Sequence, residues 1–317
     1  MIQADGLTAR SAPVALAPLS FELGAGVHAL VGTYVDGVPL VLAALAGRVR
    51  LRKGSLRLLG KPLTEVRASV AYVPLDLALP DALTVNETFA LAAEIRGEPR
   101  AEAAPRLAAL GIASLGPRRV RSLTRAEARA VAMAEALTSS ARVILLEEPY
   151  MTLDPRAAAV LAVRLRERAK DGACVVIGTA SVRDAIDLAD DQLVFDRGVL
   201  VRTMATGAST ATPGAGLVRL SAGVSDIGPV LPELAKEATI TAIESDHACI
   251  VVSGLDAREL AAAVGRAVLR AGVDLEWLRA DAPRLEELRA GGGGNAAAAY
   301  QAAMQQRARS VPPPGAP

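Results

Sequence analysis

Short apolar runs alternate with stretches of helical spacing along the first 200 residues of the chain. Between about residues 86 and 140, apolar residues recur at helical spacing and predict a helix-rich insertion. Strands that alternate with helices are typical of a parallel sheet covered by helices, so the pattern predicts the α/β class. The short runs predict five strands: Val27–Val31, Val70–Val73, Val143–Leu146, Cys174–Ile177 and Gln192–Phe195.

The pattern changes after residue 202, which indicates a second domain. Residues 203–216 are rich in Thr, Ser, Ala, Gly and Pro and predict a linker between domains 1–202 and 217–290. Residues 291–317 are rich in Gly, Ala and Pro and predict a flexible tail. The second domain is predicted to be a small α+β module with a strand, helix, strand, strand, helix, strand order: Leu217–Leu220, Leu231–Lys236, Thr239–Ile243, Cys249–Val252, Ala257–Ala271 and Leu275–Leu278, before a last helix that begins at Pro283.

Composition and charge exclude several classes of protein. In 317 residues, 35 Lys and Arg face 34 Asp and Glu, so no basic field attracts nucleic acid, and we expect no nucleic-acid partner. No uncharged apolar run of about 18 residues occurs, and the N-terminus lacks a basic segment followed by an apolar one. We therefore expect a cytoplasmic protein that reaches the membrane through partners. The histidines, His28 and His247, fit ordinary strand or surface positions. Only four lysines are available for phosphate chemistry: Lys53, Lys61, Lys170 and Lys236.

A glycine-spaced loop follows the first of these strands. Gly32 and Gly37 have the spacing of a phosphate-binding loop, in which backbone N–H groups surround phosphates, a Lys reaches them and a Ser or Thr binds magnesium. Here Val38 stands at the Lys position and Pro39 at the Ser/Thr position, and Asp36 adds negative charge where a phosphate would lie. From these residues alone, a strand-to-helix turn without a ligand explains the loop as well as a nucleotide site does.

Further segments follow this loop in a fixed order: Val70–Leu75 with Leu83–Glu87, Ser122–Glu127, Val143–Pro149 with Leu153–Pro155, Val175–Ala180 and Leu188–Gly198. They resemble the Q-loop, the signature motif, Walker B with the D-loop, the H-loop and the closing segment of the ATP-binding subunits of ABC transporters. The resemblance covers about residues 2–200 and implies a P-loop NTPase-like ABC nucleotide-binding domain with a helical subdomain. The second domain resembles the small C-terminal module of ABC subunits that energise exporters.

The resemblance implies a nucleotide site without its working groups. Leu75 stands where the family has the glutamine that senses magnesium, and Ala180 where it has the histidine that contacts the γ-phosphate. Glu147 stands at the position of the magnesium-side Asp, and Glu148 at that of the general base. We interpret Glu148 as a vestigial base and expect no cofactor, with ATP and magnesium bound weakly if at all. Two interpretations of the glutamates stay open: caps of the sheet edge, or residual magnesium binding at Glu147.

The resemblance also implies a signature segment that acts across a dimer, together with Asp154 of the D-loop. Its positions are Leu123, Thr124, Arg125, Ala126 and Glu127. Thr124 keeps a hydroxyl, but Arg125 and Ala126 replace two glycines whose backbone must approach the γ-phosphate. One hypothesis is that Arg125 meets a phosphate or an acidic partner surface. The favoured interpretation is a solvated helix face that Arg125 shares with Arg129, one turn beyond it.

These observations favour a catalytically degenerate ABC subunit of an exporter-type complex with a structural or regulatory role. We expect it to contact an ABC membrane permease subunit through the region from Leu75 into the helical insertion. We also expect a second ABC ATPase subunit as partner, in a homodimer or a heterodimer. Two alternatives remain: a transporter ATPase subunit that binds ATP weakly through Gly32–Gly37, and an interaction protein unconnected with transport that keeps the fold as a docking surface.

Overall fold

A computed structural model of the chain describes residues 1–99, 102–151, 153, 155–205, 218–245, 249–254, 257–280, 285 and 289. The chain divides into two compact units at about residue 208, and each is described separately below. The linker that we predict at 203–216 begins later than expected, because Thr203 to Ala205 complete a strand. Most of that linker, residue His247 and the tail from 291 to 317 lie outside the described residues.

The core of the first unit is a six-stranded sheet in the order β12-β11-β5-β10-β9-β8. Five of these strands run parallel, and β12 pairs antiparallel with β11. All five predicted strands lie in this sheet, which is consistent with an α/β architecture. The strands are β5 (Gly26–Val31), β8 (Val70–Val73), β9 (Val143–Glu147), β10 (Cys174–Thr179), β11 (Asp191–Asp196) and β12 (Val199–Ala205).

The first unit also contains an antiparallel sheet that the sequence pattern did not predict. Its strand order is β4-β1-β6-β7. A separate two-stranded hairpin, β2 with β3, is formed by residues between β1 and β4 in the sequence. In β1, buried Ile2 and Ala4 alternate with exposed Gln3 and Asp5, the period expected when one face of a sheet is solvated. The strands are β1 (Ile2–Thr8), β2 (Arg10–Ser11), β3 (Val14–Ala15), β4 (Leu19–Leu23), β6 (Lys53–Leu58) and β7 (Lys61–Pro62).

The helix-rich insertion predicted near residues 86–140 is present as the helical subdomain, made of α3, α4 and α5. It has an apolar cluster of its own, in which Phe89, Leu107 and Val131 are buried. Thr84 and Glu87 form a capping box that begins α3, and Gly97 ends that helix in the left-handed conformation. The helices of this unit are α1 (Val38–Leu45), α2 (Leu63–Val66), α3 (Val85–Arg96), α4 (Ala103–Ala108), α5 (Arg125–Thr138), α6 (Pro155–Lys170) and α7 (Val182–Leu188).

The second unit is a small α+β domain with the order β-α-β-β-α-β and an antiparallel sheet, β14-β15-β13-β16. This is the split β-α-β arrangement, in which both helices connect strands that are not neighbours. The strand predicted at Thr239–Ile243 begins at Ala242 instead, because Ile240 donates its N–H to Glu237 and completes the turn after α8. The elements are β13 (Val218–Val224), α8 (Val230–Leu234), β14 (Ala242–Ser245), β15 (Ile250–Gly254), α9 (Ala257–Ala271) and β16 (Leu275–Ala280).

His28 is a buried residue of β5 and takes part in a polar contact between neighbouring strands. Its Nδ1 lies 2.8 Å from the Asp191 carboxylate, and its Nε2 lies 3.2 Å from the carbonyl oxygen of Gly24. Burial by itself lowers the pKa of the imidazole, but the hydrogen bond to Asp191 and the proximity of Cys174 outweigh burial and raise the pKa to about 10. The charged pair therefore joins β5 to β11 over the physiological range of pH.

Substitution of His28 by Gln is expected to lower the free energy of unfolding by an amount that depends on pH. Because the pKa rises on folding, the His28–Asp191 pair contributes fully below the unfolded-state pKa of about 6.5. That contribution disappears as the pH rises through the folded-state pKa of about 10. Urea titrations of the wild type and His28→Gln should show a difference in the free energy of unfolding that is large near pH 6 and small above pH 10. A difference that stays constant over this range would contradict the assignment.

Candidate nucleotide-site edge

The sheet brings most of the predicted site positions to one edge. β5, β10, β9 and β8 are parallel neighbours, and their carboxyl ends lie together in a row with about 4.8 Å between strands. In the register, Val31 pairs with Thr179 and Gly178 with Glu147. The predicted positions at or just after these strand ends are Gly32, Ala180, Glu147 with Glu148, and Leu75.

The glycine-spaced loop forms a tight turn that connects β5 to α1. Residues Tyr34–Asp36 make one turn of 3₁₀ helix, and Gly37 follows with a φ of 87°. A side chain at Gly37 would be strained by this left-handed backbone and would also place its Cβ 2.8 Å from Leu16. Pro39 lies in the first turn of α1, where its fixed φ is compatible with the helix.

Asp36 holds this loop together from inside. The side chain is buried, with 1% of its surface exposed. Its Oδ2 accepts hydrogen bonds from the Thr33 N–H at 2.7 Å and the Thr33 hydroxyl at 2.5 Å, and its Oδ1 accepts one from the Arg197 N–H at 3.1 Å. The Gly198 N–H also donates to the Asp36 carbonyl at 2.9 Å. The carboxylate therefore ties the loop to the β11–β12 turn, a role that the sequence analysis did not predict.

Several backbone N–H groups of the loop donate hydrogen bonds within the protein and are therefore not available to a triphosphate. The N–H of Gly32 donates to Thr179 at 3.0 Å, and that of Gly37 donates to Tyr34 at 3.1 Å. Val38 is buried against β10, since a Cβ at Gly178 would lie 2.7 Å from its Cγ1. A phosphate loop needs free N–H groups and a Lys at this position, so these residues do not fit a triphosphate. The lysines lie on other elements: Lys53 on β6, Lys61 on β7, Lys170 on α6 and Lys236 in the second unit.

Glu147 ends β9 with a buried carboxylate that bonds to the segment after β8. Its Oε2 accepts a hydrogen bond from the Leu75 N–H at 3.0 Å and lies 3.4 Å from the Tyr72 hydroxyl. Burial and the nearby Glu147 charge raise the pKa of Tyr72, which keeps that hydroxyl protonated as a donor. Leu75, at the predicted glutamine position, contributes its backbone N–H to this contact.

Glu148 has an unusual backbone conformation, and each oxygen of its carboxylate accepts a hydrogen bond. Its φ is 44°, in the left-handed region that residues other than glycine seldom adopt. Its Oε1 accepts from the Ala180 N–H at 2.7 Å, and its Oε2 accepts from the Thr179 hydroxyl at 3.0 Å. Burial raises the pKa of the carboxyl, while these two hydrogen bonds oppose the shift. Both glutamates thus bond to neighbouring strand ends, as the capping interpretation expects. Among the described residues, no group of three His, Cys, Asp or Glu side chains is placed to hold a metal.

Arg129 lies at this edge and does not have the surroundings that the sequence predicts. The favoured interpretation put it on a solvated helix face, but its side chain is buried, with 1% exposed. Its Nη1 donates to the backbone carbonyls of Pro74 and Leu75, both at 3.2 Å, and its Nη2 donates to the backbone carbonyls of Glu147 at 2.7 Å and Glu148 at 2.9 Å. The signal was its helical spacing, because three apolar residues of α5 lie on the same stripe: Met133, Ala136 and Leu137.

The signature positions lie at the start of α5. Thr124 is the N-cap, and its hydroxyl accepts from the Glu127 N–H at 3.2 Å while its own N–H donates to the Glu127 carboxylate at 2.8 Å. Those bonds and Arg118 lower the pKa of Glu127. Arg125 is exposed, as expected, and contacts Asp76 at 3.1 Å. Leu123 packs against the subdomain cluster and Ala126 is half-buried, while Asp154 lies outside the described residues.

Substitution of Asp36 by Ala is expected to lower the free energy of unfolding by about 2–4 kcal/mol, because a buried acceptor and its three hydrogen bonds from Thr33 and Arg197 are lost together. The matched control is Asp76→Ala, whose side chain is 96% exposed and which should change stability by less than about 0.5 kcal/mol. Urea unfolding of the three proteins measures both effects. Equal stabilities for the wild type and Asp36→Ala would rule out the structural role of this carboxylate.

Comparisons with known proteins agree with this architecture. The family described as "ABC transporter" matches residues 16–151. The molybdate/tungstate import ATP-binding protein WtpC of Pyrococcus horikoshii is 27% identical over 211 residues, which cover 64% of this chain and 61% of that protein. The chain thus spans about three fifths of that relative's length. WtpC of Archaeoglobus fulgidus is 32% identical over 192 residues, which cover 58% of this chain and 79% of that protein.

Solved structures show the same fold. The chain titled "Structure of ATP binding subunit of ABC transporter" superposes with a TM-score of 0.60 and 21% identity, over 65% of this chain and 90% of that one. None of the described helices combines the length and apolar character that crossing a membrane requires. The fold, the family match and the 32% identity over most of the Archaeoglobus protein lead to one conclusion. The chain belongs to the ABC transporter ATP-binding protein family.

Proposed function

We propose that this chain is an ABC subunit that has lost ATP hydrolysis and serves a structural or regulatory role in a transport complex. The observation that carries the proposal is the glycine loop closed by its own side chain. The Asp36 carboxylate takes the Thr33 N–H and hydroxyl, while Val38 and Pro39 replace the Lys and the magnesium-binding hydroxyl. An anionic ligand would meet the oxygens of a buried carboxyl group in a loop that is already hydrogen-bonded.

The other positions of the edge support the same proposal. Phosphoryl transfer depends almost wholly on positioning and on neutralisation of charge, so loss of the cationic groups removes many orders of magnitude in rate. Leu75 and Ala180 offer backbone groups where the family's glutamine and histidine act through side chains. Glu148 keeps a carboxylate, but Thr179 and Ala180 already bond both of its oxygens, which is consistent with a vestigial base.

The proposed partners are those of the family. A membrane permease subunit would contact the region from Leu75 into the helical subdomain, and a second ABC ATPase subunit would pair with this chain as a homodimer or a heterodimer. Exposed Arg125 and the Thr124 cap stand where the signature segment would face that second subunit. Co-purification of the full chain, with mass spectrometry of what it retains, tests both partners.

The direction of transport has two candidates. The resemblance of the second unit to the module of exporters favours an exporter. The relatives named above are described as import ATP-binding proteins, which favours an importer, although their matches cover 58–64% of this chain. Accumulation and efflux assays in cells with and without the complex distinguish the two directions.

The two alternative functions differ in whether they require nucleotide binding. An ATPase subunit with weak residual binding requires that backbone contacts from Gly32–Gly37 suffice for ATP. An interaction protein unconnected with transport requires neither nucleotide nor a permease. Absence of a permease from the purified complex would favour the interaction protein, and turnover that depends on this chain's own Glu148 would favour the ATPase.

We expect ATP with Mg²⁺, at about 1 mM, to leave the melting temperature of the isolated chain unchanged. A ligand present at 100 times its dissociation constant would add about 2.7 kcal/mol and a shift of several degrees. Thermal unfolding with and without nucleotide measures the effect, with an intact ABC ATP-binding subunit in the same buffer as positive control. A saturable rise in the melting temperature of this chain would contradict the loss of the nucleotide site.

A further inference from the structure

Arg129 joins three parts of the first unit through backbone carbonyls. It projects from the first turns of α5, in the helical subdomain, to the ends of β8 and β9. On the β8 side its Nη1 reaches the Pro74 and Leu75 carbonyls, and on the β9 side its Nη2 reaches those of Glu147 and Glu148. One guanidinium therefore fixes the spacing of two strand ends and the position of a helix above them.

The segment after β8 is held from both directions. The Leu75 carbonyl accepts from Arg129 at 3.2 Å, while the Leu75 N–H donates to the Glu147 carboxylate at 3.0 Å. Asp76, the next residue, contacts Arg125 of the same helix at 3.1 Å. A segment fixed through both its N–H and its carbonyl has little freedom to move relative to the sheet, because each displacement breaks a bond to a charged group.

A buried guanidinium is a costly way to fill space. Burial lowers the pKa of Arg129, and the negative charges of Glu147 and Glu148 oppose that shift. Its Nε has no hydrogen-bond partner among the described residues. Removing one partner of a buried ion pair is strongly destabilising, because the other charge is left unpaired. Replacing buried charged residues by apolar residues of similar volume is often neutral or stabilising. The cation thus needs an explanation beyond packing, and the two nearby carboxylates provide one.

We propose that Arg129 is an internal latch that supplies the positive charge at this edge and locks the helical subdomain to the sheet in one orientation, independently of any nucleotide. This inference rests on the proposed function, since a subunit without a nucleotide cycle has no need for the segment from Leu75 to move. The region proposed to face the permease then keeps one shape while a partner subunit turns over ATP. Arg129 is a positioning residue in this account.

The experiment compares hydrogen exchange in the full chain with Arg129→Met, which removes the charge at similar volume, and with Arg129→Lys, which keeps the charge but cannot span four carbonyls. The matched control is Arg168→Met. Arg168 also bonds two backbone carbonyls, those of Ser139 and Ala141, and its Nε also has no partner among the described residues. Its contacts lie before β9, at the opposite end of that strand.

The expected result is selective. Arg129→Met should raise exchange by about tenfold or more at the Leu75 amide, which donates to Glu147, and in the first turn of α5, with β5 and β10 unchanged. Arg129→Lys should raise it in the same segments by a smaller factor, and Arg168→Met should leave those segments as in the wild type. Exchange that rises uniformly across the first unit in Arg129→Met and Arg129→Lys would overturn the latch and leave a packing role.

The nucleotide arm separates failure of the latch from failure of the proposed function. The same exchange measurement is repeated on the wild type with about 1 mM ATP and Mg²⁺. If ATP raises the melting temperature while the Leu75 amide stays protected, the proposed loss of nucleotide binding is wrong and the latch stands. If ATP has no effect and Arg129→Met does not raise exchange at the Leu75 amide, the proposed function stands and the latch is wrong.

Discussion

The Asp36 carboxyl group accepts hydrogen bonds from the Thr33 N–H and hydroxyl and from the Arg197 N–H, and these contacts hold the glycine-spaced loop against the β11–β12 turn. A buried carboxylate must be hydrogen-bonded, and here the Thr33 and Arg197 donors come from the same chain. A loop that folds around its own carboxyl group makes these hydrogen bonds without a ligand. The conformational freedom that lets glycine-rich loops close on phosphates is therefore used to close this one on itself.

At the neighbouring strand ends, the charged side chains also bond to groups of the same chain. Glu147 and Glu148 bond to N–H and O–H donors of adjacent segments, and the buried guanidinium of Arg129 lies among their carbonyls. The apolar strands that build the sheet do not depend on this chemistry, since β9 and β10 are buried on both faces. A fold fixed by such strands can persist while the side chains at its edge change, so the family fold by itself does not establish an ATPase.

Much of the fold could be predicted from the sequence because its signals are local. Apolar runs such as Val143–Leu146 indicate buried parallel strands, and the spacing of Gly32 and Gly37 indicates the turn into α1. The site could be predicted only as a set of positions. Asp36 meets Arg197 across 161 residues, and Arg129 meets carbonyls from two separate strands, so no local pattern contains these contacts. The antiparallel sheet has no such signal, because β1, β4 and β6 alternate buried with exposed residues and contain no continuous apolar run.

The N–H groups of Gly32, Thr33, Asp36 and Gly37 all donate within the protein, and we therefore expect the loop to leave no cradle for a triphosphate. Nuclear magnetic resonance of the amide groups of Gly32, Thr33, Asp36 and Gly37 during titration with ATP and Mg²⁺ tests this expectation most directly. We expect the chemical shifts of these four amides to stay unchanged during the titration and the Thr33 amide to be protected from exchange with solvent. Saturable shifts confined to these four residues, with loss of that protection, would show that the loop opens to nucleotide and would contradict the account.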